Sequence, residues 1–186
     1  VVFSNSTPIM GSVFNKNKFQ KFFVLIFLLL SISGYSQLTL ENFSGGIPGT
    51  WAVTSNLTVT NNWAATPAGG YLASPGAFVN PALNNTQGST AEYFMITPQF
   101  LTPTNGEIRF YTKQGSFTNK GATYQLRIST ANQPDVSSFN VVLQSWTEAQ
   151  LNVAATTYEE KVVPIPTIPA GIPVYVAFVA ITNQTG

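Results

Sequence analysis

Tyr124-Gln125-Leu126-Arg127-Ile128-Ser129 alternates apolar with polar residues without a break, and Val174-Tyr175-Val176-Ala177-Phe178-Val179-Ala180-Ile181 is apolar throughout. Period-two alternation gives a strand one buried and one wet face, so the first stretch covers a core from one side. The second, rich in Val, Ala, Tyr and Phe, has the side chains of a strand covered on both faces and is expected to lie deepest. The same rhythm extends outward from these two. Strands are expected over residues 38–43, 51–54, 57–63, 92–97, 107–113, 123–130, 139–146, 157–165 and 173–182. Loops rich in Gly, Pro, Asn and Ser separate them at 44–49, 64–70, 80–90, 102–106, 116–121, 131–138 and 164–171. No helical stripe competes, although 147–155 has the composition for one turn. Short strands at this spacing suit an all-β sandwich of two antiparallel sheets. In it Phe110, Leu126, Ile128, Val176 and Phe178 point inward, and Arg109, Gln125 and Arg127 outward. There is no internal repeat and no linker long enough to separate two domains.

The N-terminal region reads differently. Lys16, Lys18 and Lys21 run into the apolar block 22–32, which ends at Gly34-Tyr35-Ser36. A basic stretch, a short apolar block and small residues at the end form a signal-peptide pattern. The block is well short of the roughly 20 residues that span a bilayer. Residues 1–36 are therefore expected to be a leader, with Met10 as the start and cleavage before Gln37, and residues 37–186 the mature domain. Secretion, or display on the outer cell surface, with no membrane span after cleavage, is the localisation this implies.

Composition narrows the chemistry. The chain has 186 residues with 8 Lys+Arg, 7 Asp+Glu, no His and no Cys, for a formal net charge of +1. Without the three leader lysines, five cations (Arg109, Lys113, Lys120, Arg127, Lys161) face the same seven acids, a net charge of −2. Scattered single cations make no phosphate-neutralising stripe, which argues against nucleic-acid partners. The missing His and Cys remove Ser-His-Asp and Cys-His nucleophiles and the usual zinc ligand sets. The remaining enzyme class is a paired-carboxylate glycosidase, which needs two carboxyl groups facing one cleft. Glu41, Glu92, Glu107, Asp135, Glu148, Glu159 and Glu160 are scattered singly, and the adjacent Glu159 and Glu160 point to opposite faces of one strand. The chain is thus read as non-catalytic. Flat rings offer another chemistry, since apolar sugar faces stack on them. Trp51 and Trp146 sit in apolar strand contexts and read as core. Trp63 and Tyr71 flank the Gly-containing loop 64–70, where burial and exposure as a sugar platform are both open, and Phe117 is a further candidate.

Five stretches carry a family resemblance. Glu41-Asn42-Phe43-Ser44-Gly45-Gly46-Ile47-Pro48-Gly49-Thr50-Trp51 resembles the opening of the cleaved-adhesin or choice-of-anchor J domains. Glu92-Tyr93-Phe94-Met95-Ile96-Thr97-Pro98, Glu107-Ile108-Arg109-Phe110-Tyr111-Thr112-Lys113, Tyr124-Gln125-Leu126-Arg127-Ile128-Ser129-Thr130 and Ile172-Pro173-Val174-Tyr175-Val176-Ala177-Phe178 are similar to later strands of that family, in its order. These are MAM-like jelly-roll modules of bacterial secreted and surface proteins. The resemblance implies a jelly-roll β-sandwich acting as a non-catalytic adhesion or binding module, with a glycan or an extracellular host or matrix protein as partner. The alternative it leaves is a structural accessory domain of a larger secreted enzyme. In either case neighbouring domains of a longer gene product are expected. The family's closing strand has no counterpart, so the domain is expected to be incomplete at its C-terminus. The resemblance also implies calcium, with Glu41 as ligand, held weakly because the acidic residue of the closing strand is missing.

Overall fold

The computed structural model describes residues 41–58, 62–80, 88–114, 121–154, 156–165 and 168–183. The expected leader and Phe117 lie outside them. The described residues form ten strands: β1 (Ala52–Ser55), β2 (Ala64–Thr66), β3 (Gly76–Phe78), β4 (Thr90–Ile96), β5 (Phe100–Leu101), β6 (Glu107–Thr112), β7 (Thr123–Ser129), β8 (Val141–Thr147), β9 (Glu159–Pro164) and β10 (Pro173–Asn183). They also form one helical turn, α1 (Glu148–Leu151), and two 3-10 turns at Tyr71–Ala73 and Val136–Ser138. Thr147 and Gln150 make a reciprocal capping box at the start of α1, which explains why a helical turn survives in a β chain.

The main sheet runs β1-β4-β10-β7-β8, antiparallel throughout, with β5 pairing the start of β10. β10 is the central strand, as its uninterrupted apolar pattern required. Val174, Val176, Ala177 and Ala180 are fully buried, because β4 and β7 flank β10 and both sheet faces are covered. On one face Leu126, Ile128, Val174 and Val176 meet Ile108 and Val163, which are supplied by the two-stranded β6-β9 sheet. Phe110 and Phe178 pack against that cluster edge to face, with ring centroids 5.2 Å apart. Farther along the same face Tyr93 and Ala180 are covered by Trp63 and Val79, beside the β2-β3 hairpin. On the opposite face Phe94, Ile96, Ala177 and Val179 pack under Phe139. The described residues form an all-β, jelly-roll-like sandwich of one large sheet and smaller covering layers.

Several local expectations change. Residues 41–43 are irregular because the Glu41 carboxylate accepts the Phe43 N–H at 2.6 Å and Phe43 takes φ 56°. Residues 57, 58, 62 and 63 are not strand, and strand structure begins only at Ala64, inside the stretch read as loop. β8 starts at Val141 because Phe139 ends the 3-10 turn capped by Asp135 and drops into the core. Arg127 does lie on the face opposite Leu126, yet that face is not wet. Its side chain is 13% exposed and grips Glu92 through two nitrogens, at 2.5 and 3.2 Å, above the Phe94 ring. A half-buried, bidentate ion pair therefore covers the sheet where solvent was expected.

Candidate functional site

The turn between β2 and β3 is tightly closed. The Gly70 N–H donates to the Ser74 carbonyl at 2.7 Å, and Ser74 donates back to the Tyr71 carbonyl through its N–H at 3.2 Å and its hydroxyl at 2.6 Å. Leu72 and Ala73 both occupy the left-handed region, at φ 56° and 59°. Non-glycine residues there store strain and persist only where the surroundings hold them. A Cβ on Gly70 would stand 2.1 Å from the Pro75 carbonyl oxygen, so the turn admits only glycine at that position. Its product is the placement of the Tyr71 ring.

That ring lies on β6. The register pairs Tyr111 with Glu160, Arg109 with Val162 and Glu107 with Pro164, and all six are exposed. Alternation puts them on the outer face of the β6-β9 sheet, opposite Ile108 and Val163 in the core. Tyr71 stacks on Tyr111 with centroids 3.9 Å apart and planes 3° from parallel. Tyr158, at the entrance to β9, meets Tyr71 edge-on at 5.7 Å and donates its hydroxyl to the Gly69 carbonyl. The Lys113 ammonium sits 4.8 Å from the Tyr158 ring centre. Glu160 raises the pKa of the Tyr111 phenol, with burial and the Tyr71 hydroxyl adding to the effect. Burial raises that of Tyr158. Arg109 reaches Glu107 at 2.6 Å and Glu160 at 3.4 Å, and the Glu107 bond holds the guanidinium firmly charged.

The two aromatic candidates flanking the loop are thus separated. Tyr71 is exposed and joins the tyrosine cluster. Trp63 is partly buried against the Tyr93 and Ala180 cluster, where its Nε1–H donates to the Tyr93 carbonyl at 3.0 Å, so it packs apart from the tyrosine cluster. Trp146, edge-on to Phe110, packs against the core, and Trp51, partly buried, stacks on Phe178. Sequence reasoning missed Tyr111 and Tyr158. The parity that put Arg109 outward also puts Tyr111 outward; nothing local marks Tyr158.

All seven carboxylates lie among the described residues, and each is engaged. Glu41 holds the Phe43 N–H, Glu92 holds Arg127, and Glu107 and Glu160 share Arg109. Asp135 caps Ser137, and Glu148 accepts the Ala122 N–H at 3.0 Å from a buried position. Glu159 takes Lys161 and the Val153 N–H, and the Lys161 bond is the main cause of its lowered pKa. Glu107 and Glu160 do come to one exposed face, but with the Arg109 guanidinium between them. Around Glu41 the calcium contact expected from the sequence is a single carboxylate that already accepts the Phe43 N–H. Calcium takes about 6–8 oxygens, and among the described residues no group of three or more Asp, Glu, His or Cys gathers.

The architecture defines an all-β sandwich module of jelly-roll type. Its fold is that of the cleaved adhesin domains. The K1 cleaved adhesin domain of Lys-gingipain from Porphyromonas gingivalis W83 aligns with a TM-score of 0.54 and 18% identity, over 78% of this chain and 97% of that domain. The K3 cleaved adhesin domain of the same protein aligns with a TM-score of 0.54 and 18% identity, over 81% of this chain and 100% of that domain. No family model and no curated protein matches the sequence.

Proposed function

We propose that the protein is a secreted or surface-displayed, non-catalytic adhesion module, one domain of a longer gene product, that binds an extracellular glycan or protein. The observation that carries this reading is the cleaved-adhesin-like fold, aligned over 97–100% of the length of two domains whose names state an adhesive role. The placement of the carboxylates supports a non-catalytic reading, because a glycosidase needs two carboxyl groups facing one cleft, and Glu107 and Glu160, which share a face, are bridged by Arg109. Calcium has a minor place in the proposal. Glu41 would contribute one weak contact, since its carboxylate is already shared with a backbone N–H.

The test is solid-phase binding of the purified protein to immobilised matrix proteins and arrayed glycans, run beside a panel of polysaccharide and aryl-glycoside substrates. Saturable binding without turnover is the expected result. Turnover of any saccharide would overturn the reading. Silence on every surface would instead favour a structural accessory domain.

A further inference from the structure

We propose that Tyr71, Tyr111 and Tyr158, with Arg109, Lys113, Glu107 and Glu160 around them, form a binding site for uncharged carbohydrate. The proposal rests on the adhesion reading above and names the site and ligand class for it.

Exposure is the first ground. Phe43, Trp51, Phe94, Phe110, Phe139, Trp146 and Phe178 pack onto one another as buried or partly buried rings, whereas Tyr71 and Tyr111 stay 38% and 46% exposed while stacked together. Clustered exposed rings mark binding surfaces more often than scattered single ones do. Rigidity is the second. The Tyr158 hydroxyl is tied to Gly69, the Tyr71 carbonyl accepts both the N–H and hydroxyl of Ser74, and the cramped Gly70 turn fixes the loop. A pre-ordered platform loses little side-chain freedom on binding, and tyrosine, with two side-chain torsions, loses less than most.

The surroundings select the ligand class. A pyranose presents an apolar C–H face and a rim of hydroxyls that both donate and accept. The stack offers ring surface for the face, and carboxylate acceptors with guanidinium and ammonium donors for the rim. Two cations against two anions leave no net charge, and Arg109 bridges one oxygen of each carboxylate. An acidic glycan would find no surplus positive charge here, so a neutral one is favoured. Bound sugar would not be cleaved, because Glu107 and Glu160 hold Arg109 between them on an open face.

The experiment is calorimetric titration of the purified protein with tetraoses of β-linked glucose, N-acetylglucosamine and galactose, with sialylated and sulfated oligosaccharides as charged counterparts. Tyr71→Ala, Tyr111→Ala and Tyr111→Phe are compared, with melting temperatures as the check on folding. At least one neutral tetraose is expected to bind, roughly tenfold or more weakly in either alanine variant and within about threefold of the parent in Tyr111→Phe. Binding should change little between about 0.05 and 0.5 M salt. Neutral-glycan binding untouched by the alanine substitutions would overturn the site and leave the adhesion reading standing. Binding of charged glycans alone, or of matrix proteins alone, would overturn the ligand class with that reading intact. No binding to any glycan or protein would overturn both.

Discussion

Tyr124 packs on the core face of β7 beside Ala180, its cross-strand partner in β10. Burial, with the Glu148 carboxylate adding to it, pushes its phenol up to about 12. The folded protein therefore holds this proton more tightly than the unfolded chain, whose tyrosines titrate near 10. Stability from this group is complete below about pH 10 and is lost as pH rises from there through 12, a loss of about 3 kcal/mol. Denaturant melts at stepped alkaline pH should show the decline, and Tyr124→Phe should flatten it, since the variant has no proton to lose there. Parallel declines in both proteins would place the cause elsewhere. The same contrast of environment separates Trp63 from Tyr71. Both flank one loop, and Trp63 packs against the core cluster with its indole nitrogen bonded to the Tyr93 carbonyl, whereas Tyr71 stacks on Tyr111 at the surface.

Element scale brings in the β2-β3 hairpin, whose strands are only three residues each. Such a hairpin has little stability of its own. It is held by the Trp63 and Val79 contacts at its base and by the Gly70 turn at its tip. Gly70→Ala places a methyl 2.1 Å from a backbone carbonyl, so the turn must open and Tyr71 must leave Tyr111. A cost of about 1–3 kcal/mol is expected, read as a lowered melting temperature, together with loss of the near-ultraviolet circular dichroism of the stacked tyrosines. An unchanged dichroism spectrum would show that the stack does not depend on this turn. β10 is the opposite case. Its flanking strands and covered faces make it independent of any single loop, and its apolar run declared its position in advance.

At the scale of the whole molecule, the described residues lie within one unit, Tyr35–Gly186, and among them no helix is long and apolar enough to cross a membrane. Export remains a proposal carried by the lysines, the apolar block and the small residues before Gln37. N-terminal sequencing of protein recovered from the culture medium is expected to begin at Gln37. A secreted form that retains Phe22 and the residues after it would rule out cleavage there.

The sequence by itself determined the all-β class, the central place of the last strand, the inward set Leu126, Ile128 and Val176, the packing of Trp146 against the core, and the absence of His- or Cys-based nucleophiles. Alternation and apolar runs are local properties, written in consecutive residues, and backbone geometry converts them directly into faces. Tertiary structure decided the rest. β3 and β5 are too short to carry a period and exist because partner strands pair them. Arg127 is covered because Glu92, thirty-five residues away, reaches it from the other side of β10. The tyrosine platform joins positions 71, 111 and 158, from three separate segments. Periodicity says which way a side chain points and is silent on what stands opposite, because that is set by contacts between residues far apart in the chain.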